Sequence, residues 1–168
     1  MAKFTRYPAV NLGAEHLAMG YLLRRNIMAY KAPPGNEGYD LVCIHPDPRK
    51  VTQQVRVQVK SRLATDSDRS VLVKPATLEA FDFLAVVYLN VGFFLRMAKK
   101  HPVQAGDRDP EIFILPRDFV SAHMSKTSSW GKLRLRGLDL SPYEGRKGIE
   151  QVARKLGIDY PIRAADAA

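Results

Sequence analysis

Three polar residues in strand-like segments of this sequence have types and spacing that could support chemistry. Asp40 stands in the otherwise apolar segment 39–44, and a carboxylate there is costly to bury unless it is paired or binds a metal ion. Gln58 and Lys60 are two residues apart in the alternating segment 52–61, so both side chains project from the same face of a strand. An oxygen ligand beside an ammonium group suits metal-assisted hydrolysis of phosphodiester bonds.

The same residues suggest how such a site would work. The oxygens of Asp40 and Gln58 could bind Mg²⁺, a hard cation that prefers oxygen ligands. The ion would polarise a phosphate and acidify a bound water. Lys60 would orient that water or stabilise the developing charge. Glu15, which lies in the first predicted helix, could add a second carboxylate to the site.

Each of these residues also has an ordinary interpretation, which is favoured when the residue is taken singly. Asp40 follows Gly38 closely and could be a turn residue. Gln58 and Lys60 could belong to a solvent-facing strand surface, and Glu15 could lie on the polar side of an amphipathic helix. Their order and context along the chain are what favour the chemical interpretation.

An alternation of helices and strands is predicted to position these side chains. Apolar residues recur at helical spacing through 12–25, and Asn11 could cap that helix. Further helices are predicted from Pro75, from Pro116 and over 143–156, and strands are predicted over 27–32, 39–44, 52–61, 83–89, 111–115 and 132–136. This order indicates an α/β domain with a mixed sheet and helices on its faces.

Some segments are predicted to lie outside these elements. The turn-rich segment 33–38 and the polar segment 62–70 are expected to be loops. Segment 90–110 could be a hairpin extension or a flexible insertion. We expect a single domain over 1–162 and a flexible tail over 163–168.

The overall composition narrows the class of protein. The chain has 168 residues, of which 46% are hydrophobic and 26% charged, a mixture typical of a globular domain. Its single cysteine, Cys43, excludes a disulfide framework and a cysteine-based zinc site. The sequence shows no secretory signal, no membrane span and no glycine-rich phosphate loop. We therefore expect a cytoplasmic protein without a nucleotide cofactor.

The net charge of +9 favours a polyanionic partner such as DNA, although a merely basic soluble protein is the alternative. Lys132, Arg134 and Arg136 alternate with leucines and form a cationic row on one face of a predicted strand. That row could instead be a solvated strand edge protected by its charges. The other candidate DNA-binding residues are Arg24, Arg62, Lys99 and Lys100. Trp130 could stack on a base, although such a residue more often anchors a loop.

The order of these motifs resembles the PD-(D/E)XK nuclease superfamily. The likeness is greatest to a branch of small nucleases that has Gln in the third motif, and that branch resembles homing endonucleases of group I introns and archaeal Holliday-junction-resolvase-like proteins. The resemblance spans about 12–116. The matching segments are Gly13-Ala14-Glu15, Gly38-Tyr39-Asp40-Leu41-Val42, Val57-Gln58-Val59-Lys60-Ser61, 81–87 and 112–116.

The resemblance implies a restriction-endonuclease-like fold and a Mg²⁺-dependent endonuclease that hydrolyses phosphodiester bonds in DNA, with Mn²⁺ able to substitute. Carried over by position, Glu15, Asp40 and Gln58 match the metal-site residues, and Lys60 matches the catalytic lysine. A homodimer is also implied, because cutting two strands needs two sites. The preferred DNA sequence or structure does not follow from the resemblance.

Gln58 departs from the common pattern of the superfamily, which has Glu or Asp at this position. An amide oxygen still binds a hard cation but brings no charge, so metal affinity would depend more on Asp40 and Glu15. The sequence is therefore compatible with an active nuclease or with an inactive DNA-binding module on the same fold. A third interpretation is an interaction subunit of a restriction or phage-related assembly.

Overall fold

The structure is a computed structural model that describes residues 8–63, 69–91, 108–126 and 129–160. Within these ranges it contains three helices, α1 (Pro8–Arg24), α2 (Arg117–His123) and α3 (Gly145–Lys155). The strands are β1 (Met28–Lys31), β2 (Leu41–Ile44), β3 (Val55–Arg62), β4 (Ser70–Val73), β5 (Phe83–Tyr88), β6 (Glu111–Pro116) and β7 (Gly131–Arg134). Short 3₁₀ helices span Pro48–Lys50, Pro75–Ala80 and Ser141–Tyr143.

Five of the strands form a mixed sheet in the order β1-β2-β3-β5-β6. Strands β3 and β5 are parallel, with Val57 beside Phe83, and the other neighbours are antiparallel. All six residues of β5 are buried, as expected for a strand that is covered on both faces. The predicted α/β class with a mixed sheet is therefore confirmed.

The two faces of this sheet are covered by different layers. Helices α1 and α3 cover one face, where Ala14, Ala18 and Leu22 of α1 belong to the same apolar cluster as Val57. Strands β4 and β7 pair antiparallel into a two-stranded ribbon, which covers the other face together with α2. Among the described residues, no helix is long and apolar enough to cross a membrane.

The alternation of β3 between these two layers sets the direction of its polar side chains. Val55 and Val57 are fully buried in the cluster beneath α1. Because successive side chains of a strand point to opposite faces, Arg56, Gln58 and Lys60 project towards the layer that contains the ribbon. The predicted common face of Gln58 and Lys60 is therefore present.

Several predicted boundaries differ from the structure. Helix α1 begins at Pro8, so Asn11 lies within the helix and does not cap it; its side chain instead accepts a hydrogen bond of 2.8 Å from the Ser61 hydroxyl. Strand β4 lies partly in the segment predicted to be a loop, because its pairing with β7 stabilises four residues that have little pattern of their own. The last predicted helix is a 3₁₀ turn followed by α3.

Other predictions fall partly outside the described residues. These include most of segment 90–110 and the tail at 163–168, so the proposed domain limits stay a prediction.

A buried carboxylate anchors the start of β3. The Asp82 side chain is 11% exposed and accepts a hydrogen bond of 2.8 Å from the Arg56 N–H. The ammonium group of Lys155, in α3, lies 3.3 Å from its other oxygen. Burial alone would raise the pKa of Asp82, but the Arg56 N–H and the Lys155 ammonium group hold the pKa below its ordinary value. Asp82 thus joins β3, β5 and α3.

We expect Asp82→Asn to lower the free energy of unfolding at pH 7 by about 1 kcal/mol, because it removes a charged acceptor from this junction. The folded-state pKa of Asp82 is lowered, so its contribution is complete above the unfolded-state pKa of about 3.9 and is lost as the pH falls below it. Urea unfolding at pH 7 and pH 3 should show the difference from wild type shrinking at the lower pH.

The matched control is Asp159→Asn, since Asp159 is exposed near the end of the described chain. That variant should differ little from wild type at either pH. An Asp82→Asn deficit of equal size at pH 3 and pH 7 would show that the carboxylate charge does not stabilise the junction.

Candidate active site

The Asp40 carboxylate is held where β2 and β3 begin to pair. Asp40 immediately precedes Leu41, whose register partner on β3 is Val57. The Asp40 N–H donates to the Val57 carbonyl at 2.9 Å, and the Val59 N–H donates to Asp40 Oδ2 at 2.6 Å. The side chain thereby supplies an acceptor where a neighbouring strand would usually supply a carbonyl. Among the described residues, no donor forms a hydrogen bond with the second oxygen of Asp40, Oδ1.

The Gln58 amide oxygen is buried, and no described residue donates a hydrogen bond to it. A buried acceptor without a partner costs about 1–3 kcal/mol, so such an atom calls for a donor or a cation. Gln58 follows Val57 and Asp40 precedes Leu41, so both adjoin the pair that Leu41 and Val57 form between β2 and β3. The amide oxygen of Gln58 and the carboxylate of Asp40 fit a hard divalent cation.

The Lys60 ammonium group belongs to the same site. Lys60 is half-buried on the face of β3 that Gln58 shares. Burial lowers the pKa of Lys60, the Asp40 carboxylate counteracts this effect, and the ammonium group of Lys74 lowers the pKa further. Lys74, which lies between β4 and a 3₁₀ helix, is an additional charge that the sequence motifs did not indicate.

Glu15 reaches the site from a different layer. It lies on α1 and forms an ion pair with Lys31 of β1. One open cleft of about 600 Å³ is lined by Glu15, Lys31 and Asp40, and residues 32–36 form its other wall. The structure thus brings Glu15 to the cleft that contains Asp40, but Lys31 neutralises its carboxylate. A cation in this cleft would have to compete with Lys31 for Glu15.

The acidic content of the site is low. In the part of the chain that the structure describes, no three His, Cys, Asp or Glu side chains come together as a metal site would require. The candidate oxygens are therefore two carboxylates, one of them ion-paired, and the neutral amide of Gln58. Any cation held here would depend mainly on Asp40 for charge.

The predicted DNA-binding residues are spread over several surfaces. Arg134 and Arg136 are exposed, and Lys132 is half-buried, while Leu133 and Leu135 between them are buried, as the alternation predicts. This cationic row lies on the ribbon.

The remaining candidates have other surroundings. Arg62 donates to the Ser70 carbonyl and so ties β3 to the ribbon. Arg24 lines a separate cleft of about 220 Å³ between α1 and α3. Lys99 and Lys100 lie outside the described residues.

Comparison with known proteins supports the fold. No protein-family model matches the chain, and no curated protein matches its sequence. The structure is similar to that of a bacterial homing endonuclease, with a TM-score of 0.53 and 16% sequence identity over 92% of this chain and 96% of that chain. A Holliday junction resolvase from the archaeal hyperthermophile Archaeoglobus fulgidus aligns over 90% of this chain and 98% of that chain, with a TM-score of 0.44 and 10% identity.

The likeness to the homing endonuclease shows the fold. The predicted mixed sheet flanked by helices is thus shared with that structure. At this level of identity the likeness does not extend to the activity or to the roles of individual residues.

Because the buried amide oxygen of Gln58 has no hydrogen-bond donor among the described residues, we expect Gln58 to lower the free energy of unfolding when no cation is bound. Replacement by methionine removes the unsatisfied acceptor and fills a similar volume. We expect Gln58→Met to raise the free energy of unfolding by roughly 1 kcal/mol when no divalent cation is present. Urea unfolding in EDTA measures this difference directly.

The matched control is Gln54→Met, because Gln54 is exposed just before β3. It should change the free energy of unfolding by less than about 0.5 kcal/mol. A clear loss of stability in Gln58→Met would mean that the amide has a partner in the folded protein.

Proposed function

We propose that this protein is an endonuclease that hydrolyses phosphodiester bonds in DNA with a divalent cation, Mg²⁺, held by Asp40 and Gln58. Three polar groups on or next to the paired ends of β2 and β3 support this most. These groups are the Asp40 carboxylate, the partnerless amide oxygen of Gln58 and the half-buried ammonium group of Lys60. The nuclease-like fold and the net charge of +9 agree with this function.

In this proposal Asp40 supplies the negative charge of the cation site and Gln58 a neutral oxygen. The Val59 N–H fixes one Asp40 oxygen, so the carboxylate is oriented before any ligand arrives. The bound cation would polarise the phosphate and make an attacking water more acidic. Glu15 is a weaker ligand, because Lys31 already pairs with it.

Lys60 would act on the reacting groups themselves. Its ammonium group can donate a hydrogen bond that orients the attacking water or stabilises charge on the phosphate oxygens. Partial burial strengthens such an interaction, because less water competes for the donor.

A second candidate function is an inactive DNA-binding module. It is favoured by the low acidic content of the site, in which Gln58 is neutral and Lys31 neutralises Glu15. Such a module would bind DNA with an affinity that falls steeply with salt and does not respond to Mg²⁺. The homodimer and the cytoplasmic location stay predictions from the sequence.

Cleavage of plasmid and branched DNA in Mg²⁺ tests the proposal. We expect Asp40→Asn and Lys60→Met each to lower the cleavage rate by about 100-fold or more, because each removes a charge that acts at the reacting phosphate. Glu15→Gln should have a smaller effect than Asp40→Asn, since Lys31 already occupies that carboxylate.

Lys50→Met is the matched control for lost positive charge, because Lys50 is exposed in a 3₁₀ helix and lies outside the clefts described above. It should cleave at the wild-type rate. Activity that survives both Asp40→Asn and Lys60→Met would exclude this site. Wild-type binding that is indifferent to Mg²⁺, without cleavage of any substrate, would establish the inactive module.

A further inference from the structure

A second cleft lies next to Lys60, on the side that faces the ribbon. It has a volume of about 190 Å³ and is open to solvent. Its lining residues are Lys60, Ser61, Arg62, Val71, Leu72 and Trp130, and none of these described residues is acidic. Lys60 therefore connects the candidate active site with this second cleft.

Two large apolar side chains form the outer wall of the cleft. Leu72 is 49% exposed and Trp130 is 44% exposed. A loop anchor would bury its ring in the core, whereas exposed apolar surface of this kind beside polar residues is typical of an interaction site. The wall thus presents exposed apolar surface to solvent.

The chain is tightly packed at Gly131, the residue that follows Trp130. A Cβ atom on Gly131 would lie 2.8 Å from the Ser125 carbonyl oxygen and 3.1 Å from that of Val73, so the backbone there is tightly packed. Gly131 is also the first residue of β7, and it pairs with Val73. Trp130 thus directly precedes a tightly packed strand end.

Positive charge surrounds the indole. The Lys74 ammonium group lies 5.1 Å from the centroid of the Trp130 ring, within the range of a cation–π contact. Lys60 lines the same cleft as Trp130. The ammonium groups of Lys60 and Lys74 favour a ligand with negative charge. Lys132 and Arg134 continue the cationic surface along β7.

We propose that Trp130 and Lys74 bind one unpaired nucleotide of a DNA strand, with the indole stacked on the base and the ammonium group against its phosphate. Every base has a flat face, so such a platform is tolerant of sequence. Bases in an intact duplex are already stacked on one another, so the ligand is a single-stranded or unpaired nucleotide. This binding does not depend on the proposed nuclease function. Only the further expectation that the bound nucleotide lies beside the bond to be cut rests on that function.

Fluorescence tests the stacking directly, because Trp130 is the single tryptophan of the chain. The Asp40→Asn variant without divalent cation is titrated with a thymidine oligonucleotide of about eight nucleotides, a length typical of single-strand sites. The control ligand is an abasic strand of the same length and charge. We expect the thymidine strand to quench the emission and the abasic strand to leave it nearly unchanged.

Affinity measured by calorimetry separates the two side chains. We expect Trp130→Ala to weaken binding of the thymidine strand about tenfold and Trp130→Phe to restore part of that loss. Lys74→Gln should lower the salt dependence by about one released ion. Tyr30→Ala is the matched control, because Tyr30 is a 51% exposed aromatic residue on β1, and it should bind as wild type does.

Each outcome decides the inference. Equal emission changes with both strands, absence of binding, or wild-type affinity in both Trp130 variants would overturn it. Quenching in a protein whose wild type cleaves no DNA would overturn the proposed nuclease function and leave the stacking site in place. Normal cleavage combined with unquenched emission would do the reverse.

Discussion

The hydrogen bond from the Val59 N–H to the Asp40 carboxylate, 2.6 Å long, fixes an acid at the point where β2 and β3 begin to pair. Leu41, the residue after this acid, pairs with Val57, and the alternation of β3 turns Gln58 and Lys60 to one face. That alternation is itself imposed by the apolar cluster beneath α1, which buries Val57 completely. The geometry of the candidate site therefore depends on the packing of the opposite face.

Two carboxylates hold backbone N–H groups of β3, and their surroundings differ. Asp82 accepts the Arg56 N–H and has two cations, Arg56 and Lys155, to neutralise it, so its role is to join elements. Asp40 accepts the Val59 N–H, and Gln58, the residue before Val59, has a buried amide oxygen to which no described residue donates. Both oxygens of Asp82 have partners, whereas the amide oxygen of Gln58 has none among the described residues. This difference distinguishes Asp82, the structural acid, from Asp40, the candidate functional one.

The sequence predicts the parts of the site that depend on local patterns. The alternation of 52–61 gives the shared face of Gln58 and Lys60, and the apolar segment around Asp40 marks that acid as unusual. Lys31 and Lys74 could not be predicted, because they reach the site from separate elements through tertiary packing. Strand β4 was missed for a similar reason, since its four residues are stabilised by pairing with β7 and show little periodicity.

The most direct test is to locate the bound cation by NMR. Mn²⁺, a paramagnetic stand-in for Mg²⁺, is titrated into isotope-labelled protein while NMR follows the amide signals. If Asp40 and Gln58 hold the cation, the signals of the Gln58 side-chain amide and the Val59 backbone amide broaden first. Asp40→Asn then abolishes this selectivity. Broadening around exposed acids such as Glu79, with the Gln58 signal unaffected, would contradict this placement of the cation.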